Sequence, residues 1–271
     1  MIHVELVKML RRPRTWITIL LLSALPTLVA VLLAVTDIGP QPGEGPAFLS
    51  AVLTDGKLFP LAALAIVLPL FMPVAVAVVA GDAVAGEASG GTLRYLLTRP
   101  VGRTRLLVAK LVSVIAFVLL AVVVVAAVGY VVGRLLLGGG DATGLVTGVS
   151  GSSLTSTQLV ERTLMSIVYV TLSMLGVAAM ALMLSTMTDS AVGAALGALA
   201  FLIASTLLLT LDAAAALQPY LPTRYWLSFV DLFRDPILWR DIDRGVLLQG
   251  VYVLVFLGAA WANFTTKDIT S

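Results

Sequence analysis

Long apolar runs dominate the chain, and short polar or glycine-rich segments separate them. A helix needs about 20 consecutive apolar residues to cross the hydrocarbon core of a bilayer. The runs that meet this length rule extend over approximately Trp16–Val35, Leu58–Ala80, Leu106–Leu137, Thr163–Ser185, Ala191–Leu211 and Val246–Phe264. Strands of a membrane barrel would instead alternate apolar and polar residues in segments of about ten. The pattern therefore predicts an all-α integral membrane protein, a single transmembrane domain of six helices over residues 1–271.

The composition supports this class and excludes several kinds of site. Hydrophobic residues make up 59% of the chain and charged residues 12%, whereas soluble globular domains carry about 25% charged residues. Cysteine is absent, which excludes disulfides and thiolate chemistry. The single histidine, His3, has no second histidine with which to bind a metal. We therefore expect no metal site.

The distribution of Lys and Arg predicts the orientation of the helices. If the N-terminus is cytoplasmic, alternating spans place 10 of the 17 Lys and Arg residues on the cytoplasmic side and 7 on the outer side. Cytoplasmic loops of membrane proteins carry an excess of these residues. We therefore expect both termini in the cytoplasm.

The first residues, MIHVELVKMLRRPR, predict a short interfacial helix before the first span. Its apolar face would hold Ile2, Leu6, Met9 and Leu10, and its cationic face Lys8, Arg11 and Arg12. Pro13 would then bend the chain into the membrane. Such a helix can anchor on anionic head groups or contact a cytoplasmic partner, and the sequence leaves both open.

Two pairs of residues inside the spans have a structural and a functional interpretation. Pro69 and Pro73 each remove a backbone donor, so we expect the second span to kink, either for packing or because it lines a path. Gly193 and Gly197 form a G-x-x-x-G pair in the fifth span, which permits close helix approach. That approach can lie within the chain or at a subunit interface.

Aromatic residues and prolines concentrate in the segment Tyr220–Trp239, between the fifth and sixth spans. The prolines and scattered charges exclude a seventh span, whereas amphipathic rings favour the head-group level. We therefore expect short helices that lie in, or re-enter, the outer interface. The segment is either an aromatic belt or an outer gate, and the candidate gate residues are Tyr220, Tyr225, Trp226 and Phe229.

The most cationic segment of the chain is GEASGGTLRYLLTRPVGRTRLLVAK, from Gly86 to Lys110. Glycines at positions 86, 90 and 91 predict a sharp turn, and Ser89 or Thr92 can then cap a new helix. Leucines at positions 93, 96 and 97 share one helical face, and Pro100 ends the helix. This layout predicts a short amphipathic helix at the cytoplasmic surface. Its charges suit anionic lipid or a protein partner about equally.

No stretch has the pattern of a catalytic or nucleotide-binding site. The outer string GGGDATG lacks the lysine and the Ser/Thr of a phosphate-binding loop. Asp82 and Glu87 are five residues apart, but Gly86 and the predicted end of the second span indicate that both lie in a loop. An intramembrane enzyme or ion-coupled transporter needs ionisable groups at mid-membrane, and the charges fall near span ends instead. We therefore do not expect an enzyme.

The segment GEASGGTLRYLLTRPVGRTRLLVAKL resembles the cytoplasmic loop of the permease subunits of type-2 ABC exporters. In that family a glutamate, G-T-L-R, a short helix and R-P-x-x-R lead into a span. The segments ELVKMLRRPRTW and LPTRYWLSFVDLF also look like that family, as do the chain length and the number of spans.

The resemblance implies a half-transporter of a bacterial plasma (inner) membrane, which pairs with a second permease subunit, identical or paralogous. Each permease would sit on a separately encoded cytoplasmic ABC ATPase, so ATP and Mg²⁺ would bind there and no cofactor would bind this chain. The short helix after the second span would be the coupling helix pressed into the ATPase. The residues of this sequence that match the family motif, and that would make this contact, are Glu87, Thr92, Arg94, Tyr95, Arg99, Pro100 and Arg103.

The same resemblance implies a path lined by the second and fifth spans, with the segment Tyr220–Trp239 closing it outside. A mostly apolar path would suit a hydrophobic or amphipathic substrate. The alternative hypothesis is a non-transport membrane scaffold or sensor, which uses the basic segment to bind anionic lipid or a cytoplasmic partner. Neither hypothesis involves nucleic acid.

Overall fold

The computed structural model describes residues 1–36, 55–91, 102–138 and 146–266. Eight α-helices form most of this part of the chain. They are α1 (Ile2–Arg11), α2 (Pro13–Val35), α3 (Phe59–Val67), α4 (Phe71–Ser89), α5 (Arg103–Leu136), α6 (Ser156–Met187), α7 (Ala191–Leu209) and α8 (Trp239–Thr266). Short 3₁₀ helices cover Gly56–Leu58, Asp212–Ala214, Gln218–Tyr220 and Trp226–Phe233. A two-residue antiparallel hairpin pairs β1 (Val146–Thr147) with β2 (Ser153–Leu154).

Six of these helices, α2 and α4 to α8, are long and apolar enough to cross a membrane. The prediction of an α-helical, multi-pass membrane protein is thereby confirmed. Two helices begin earlier than their apolar runs. Helix α6 starts at a capping box, in which Thr155 and Gln158 satisfy each other's backbone N–H groups, and α8 starts at Trp239 with a charged first turn.

The second apolar run folds as two helices, not as one kinked helix. Helix α3 ends at Val67 and α4 begins at Phe71, and Leu70 between them has φ −134° and ψ −57°, outside the helical region. Pro69 and Pro73 explain the break, because each lacks an N–H and its ring clashes with the preceding turn. The predicted site of bending is therefore right, and the predicted continuity of the helix is wrong.

Helix α4 also continues past the predicted end of this span, to Ser89. The predicted turn at Gly86 is therefore wrong, and Asp82 and Glu87 lie on the helix instead of in a loop. A Cβ at Gly86 would collide with the Asp82 carboxylate, so this glycine makes room for a side chain one turn earlier. The turn falls at Gly90 and Gly91, and Gly91 has φ +66°, a conformation that favours glycine.

Helix α6 is the centre of the bundle and packs against α4, α5, α7 and α8. Helix α1 packs along α5, and α2 packs against α5 and α3. Helices α2, α7 and α8 keep most of their apolar surface exposed. In a membrane protein, such surface faces lipid or another subunit.

The close approach of α4 and α7 depends on a glycine that the sequence analysis did not select. A Cβ at Gly81 of α4 would lie 3.0 Å from the backbone nitrogen of Ala195, on α7. Gly193 and Gly197 point away from this contact and are exposed. The G-x-x-x-G pair therefore does not form the α4–α7 contact. A Cβ at Gly197 would lie 3.1 Å from Leu184 of α6, so this glycine packs partly within the chain, and the exposed surface of the pair leaves an interface between subunits open.

Candidate functional site

Four charged side chains from three helices meet at the end of the bundle where α1 lies. They are Glu5 and Lys8 of α1, Glu87 of α4 and Lys110 of α5, and we call them the charge cluster. The Nζ atom of Lys8 lies 2.6 Å from Oε1 of Glu87. The Nζ atom of Lys110 donates to the same Glu87 oxygen and, at 3.0 Å, to Oε2 of Glu5. Glu87 is 5% exposed and Lys110 is 4% exposed.

The cluster holds two carboxylates and two ammonium groups, so its formal charges cancel. Cancellation matters because an isolated ion away from water is expensive, whereas a paired and hydrogen-bonded one is tolerated. Lys110 is the central member, since it contacts both carboxylates. The cluster thereby joins α1 to the ends of α4 and α5, the two helices that residues 92–101 connect.

A second set of charges lies beside the cluster, on the same side of α4. Nη1 of Arg12 donates to Oδ2 of Asp82 at 3.1 Å, and Arg14 approaches the same oxygen at 4.0 Å. Both arginines flank Pro13, where α1 ends and α2 begins. These pairs are more exposed than the charge cluster, so we assign them less stabilisation. Their geometric effect is to fix the angle between α1 and α2 against α4.

A buried serine fixes the same part of α4 from the opposite side. Ser185 of α6 donates to the carbonyl of Gly81 at 2.6 Å and accepts from the backbone N–H groups of Val84 and Ala85 at 3.1 and 2.9 Å. Its hydroxyl therefore enters the hydrogen-bond ladder of α4, which is a recognised cause of local helix distortion. Helix α4 is held between α6 on one side and the charge cluster on the other.

We expect Ser185→Ala to destabilise the folded chain by about 1–3 kcal/mol, because backbone groups of α4 would lose a buried partner. The thermal unfolding of the purified protein in detergent measures the effect. Ser113→Ala is the matched control, since Ser113 is half-buried and makes one long bond, 3.4 Å, to the Glu5 carbonyl. Equal midpoints for the two variants would contradict a specific role for Ser185.

The start of α5 and the end of α8 meet at this end as well. Nη1 of Arg103 donates to the carbonyls of Phe264 and Thr265 at 3.3 and 3.1 Å. These carbonyls belong to the last turn of α8, where helical partners are lacking and a cation is favourable. Asn263 of α8 also donates to the carbonyl of Thr186, on α6, at 2.9 Å. Hydrogen bonds and ion pairs of polar side chains thus connect α4, α5, α6 and α8 at the ends that are predicted to face the cytoplasm.

Only part of the predicted contact with an ATPase falls on residues that the structure describes. Thr92, Arg94, Tyr95, Arg99 and Pro100 lie outside the described residues. Glu87 is buried among lysines instead of facing outward, and Arg103 caps α8. Lys8 and Lys110 were not predicted as partners of Glu87, nor was Glu5 as a partner of Lys110.

Helix α1 confirms a predicted element but turns a different face inward. Leu6 and Met9 pack against the bundle as the apolar face predicts. Ile2 and Leu10 are each 43% exposed, and Glu5 takes their place at the contact with α5. Lys110 of α5 makes this possible, because its ammonium group neutralises the carboxylate of Glu5, which the hydrophobic pattern alone would place outside the contact.

At the other end of the bundle, the segment between α7 and α8 is pinned by side chains of α6 and α8. Four of its carbonyls, those of Tyr220, Pro222, Tyr225 and Arg234, accept hydrogen bonds. The donors are, in the same order, Tyr252, Gln249, Tyr169 and Arg162, at 2.6 to 2.9 Å. Irregular backbone at membrane depth is tolerated only when its polar groups are satisfied within the protein.

The four candidate gate residues divide into two groups. Tyr225, Trp226 and Phe229 are buried, whereas Tyr220 is 67% exposed. Phe229 and its neighbours in the 3₁₀ helix Trp226–Phe233 pack against α6 and α8. The segment therefore contributes to the core, and an aromatic belt alone does not describe it.

The described ranges contain no group of three His, Cys, Asp or Glu side chains that could hold a metal ion. The carboxylates near α1 are engaged by lysines and arginines.

Fold and site together define a polytopic α-helical membrane protein whose N-terminal helix is tied to the bundle by buried ion pairs. The chain belongs to the family described as "Protein of unknown function (DUF2705)", which it matches over residues 46–270. No curated protein matches the chain. The matched range includes Glu87 and Lys110, and it begins after Glu5 and Lys8.

Proposed function

We propose that the chain is the permease half-subunit of an ATP-driven ABC exporter, which moves a hydrophobic or amphipathic substrate out of the cytoplasm. A separate ATPase subunit would bind ATP and Mg²⁺ and would press on the segment around residues 92–101. A second permease subunit would complete the transporter. In this proposal the end of the bundle that carries α1 faces the cytoplasm of a bacterial cell.

The observation that carries the proposal is the position of the charge cluster. It lies at the base of the segment whose sequence resembles a coupling helix, and it joins both helices that this segment connects. A push on the segment would reach α4 through Glu87, α5 through Lys110, and α1 through Glu5 and Lys8. These side chains would make the three helices respond together.

Polar contacts around α4 also support a mechanical role for that helix. Ser185 and the charge cluster restrain the half of α4 that is predicted to lie toward the cytoplasm. The break at Pro69 separates α4 from α3 at its other end. A helix that is held at one end and interrupted at the other can turn as a unit. A two-state transporter would use this motion to open the path along α4 and α7 alternately to each side.

The exposed faces of α7 and α8 support a partner in the membrane. Val192 and Leu196 of α7 are 67% and 60% exposed, and Gly193 and Gly197 lie among them. Small residues on such a face permit another helix to approach closely. We assign this face to the second permease subunit.

The test is to co-express the chain with the ATPase encoded beside it and to compare Arg94→Glu with wild type. Arg94 carries the family motif, and a reversed charge in a protein contact is expected to weaken the complex about tenfold or more. The measurements are co-purification and the ATPase activity stimulated by the permease. Arg240→Glu, an exposed cation at the opposite end of the bundle, is the control.

Unchanged co-purification and stimulation in Arg94→Glu would refute the coupling assignment. Loss of binding to anionic liposomes, with no ATPase partner in any preparation, would favour a membrane scaffold or sensor instead. Loss of stimulation with retained co-purification would place Arg94 in the transmission step and keep the proposal.

A further inference from the structure

A cleft of about 630 Å³ opens at the surface of the bundle, between α3, α5 and α6. Ligand-binding clefts typically have volumes of about 300–1,000 Å³. Its walls are mostly apolar, and both of its charged members lie at one end. The wall residues include Val123, Ala127, Val160, Leu164 and Ile167. This end is opposite to α1, so the cleft is separate from the charge cluster.

The cleft is as deep as one leaflet of a bilayer. Its lining on α5 runs from Val123 to Arg134, and its lining on α6 runs from Ser156 to Ile167. Eleven residues of helix rise about 16 Å, and half the hydrocarbon core is about 15 Å thick. Both walls therefore cover the depth of a single acyl chain.

Cations mark the end of the cleft where a lipid head group would lie. Lys57 and Arg134 line it, together with Tyr130, whose ring lies 5.8 Å from the Arg134 guanidinium carbon. Asp55 lies 3.9 Å from Lys57, but it is buried and does not line the cleft. With Asp55 counted, these groups carry a formal charge of one positive unit, which matches the single negative charge of a phosphodiester.

Among the residues that the structure describes, no carboxylate lines the cleft. The lining residues of α6 recur at helical spacing from Ser156 to Ile167, and Glu161 lies off this face. An anion would therefore meet attraction at the mouth without opposing charge on the walls. Ser156 lies at the same end, whereas Thr163 lies deeper along α6 and donates to the carbonyl of Leu159.

We propose that this cleft binds one anionic membrane phospholipid, with its phosphate between Lys57 and Arg134 and an acyl chain between α5 and α6. The dimensions favour a lipid over a second copy of this chain. A helix with its side chains is about 10–12 Å across and runs the full membrane depth, whereas the cleft ends after one leaflet. The proposal does not depend on transport or on an ATPase.

The test measures phosphatidylglycerol binding to the purified full-length chain by native mass spectrometry. Phosphatidylcholine, which has no net charge, is the comparison lipid. Each cation near a membrane surface contributes about fivefold to the attraction of anionic lipid. Lys57→Gln or Arg134→Gln alone is expected to weaken phosphatidylglycerol binding about fivefold, and the double variant about 25-fold. Phosphatidylcholine binding is expected to change less than twofold.

The matched control removes two cations at the same end of the bundle but outside the cleft, as Arg240→Gln with Arg244→Gln. Both arginines are exposed on α8, and this variant is expected to bind phosphatidylglycerol as the wild type does. A steric variant, Ala127→Phe, fills the cleft from an exposed position without altering charge. It is expected to lose the specific site while its thermal midpoint stays unchanged.

Equal weakening in the cleft and control variants would overturn the proposal, because it would mean that only net charge matters. Equal binding of the two lipids by the wild type would overturn it as well. The chain has no cysteine, so the variant Ala127→Cys gives a further check. A disulfide between two copies through that cysteine would show that protein occupies the cleft and would also reject the lipid.

Discussion

Lys110→Met is expected to destabilise the folded chain by about 3–5 kcal/mol, the loss typical when one partner of a buried ion pair is removed. Methionine matches the length and the apolar stem of lysine, so packing changes little. The loss arises because Glu5 and Glu87 would face each other without the ammonium group that now contacts both. The midpoint of thermal unfolding in detergent measures it.

Helix α1 should also separate from α5 in this variant. A cysteine introduced at Leu6, which packs against the bundle, reports the separation through its rate of maleimide labelling. We expect labelling to accelerate at least about tenfold in Lys110→Met, since α1 loses the ion pair between Glu5 and Lys110 that joins it to α5.

Two further variants distinguish this explanation from general damage to α5. Arg105→Met removes an exposed cation from the same helix and should leave the midpoint within about 0.5 kcal/mol of wild type. Combining Lys110→Met with Glu5→Gln and Glu87→Gln should recover much of the lost stability, because no uncompensated carboxylate remains. Failure of the triple variant to recover any stability would argue that the lysine acts through packing.

The spans could be predicted from the sequence because hydropathy reports one physical requirement, the burial of about 20 residues in lipid. Their ends could not, because helices extend beyond the hydrocarbon wherever caps and pairs permit. Thr155 and Gln158 start α6 one to two turns before its apolar run. At Gly86 a turn was predicted where α4 in fact continues. A glycine that accommodates Asp82 looks the same in sequence as a glycine that turns the chain.

One residue of the charge cluster was selected from the sequence, but its partners were not. Resemblance selected Glu87, yet the lysines that neutralise it come from positions 8 and 110, and Lys110 also pairs with Glu5. A signal was nevertheless present. Lys110 stands inside an apolar run that starts at Leu106, and Glu5 lies beside Leu6 on a short amphipathic helix. Charges in apolar contexts imply partners of opposite sign.

Aromatic residues of the outer segment show why composition alone could not choose between a belt and a gate. Tyr220 and Phe229 are nine residues apart and belong to the same compositional cluster. The fold gives them opposite environments, because the 3₁₀ helix that holds Phe229 packs against α6 and α8. Hydrogen bonds from Tyr169 and Gln249 fix the backbone just before that helix, at Tyr225 and Pro222. Long-range hydrogen bonds of this kind leave no local pattern.

Phe229→Ala is expected to cost about 3–5 kcal/mol of folding stability, the range for removing a buried aromatic side chain. Phe229 is 0% exposed and packs in the core that the outer segment shares with α6. Tyr220→Ala is the matched control from the same segment. It should change stability by less than about 1 kcal/mol, because its ring is exposed and only its carbonyl bonds to Tyr252.

Under the proposed transport function, the same two variants separate packing from gating once a substrate has been identified. If the segment gates the path, Tyr220→Ala should alter substrate efflux from whole cells while the thermal midpoint stays at the wild-type value. Phe229→Ala should lower efflux only in proportion to the folded protein that reaches the membrane. If efflux per folded molecule is normal in both variants, the segment is a structural cap and not a gate. The reason is that a gate which loses its exposed aromatic side chain should change the passage of substrate.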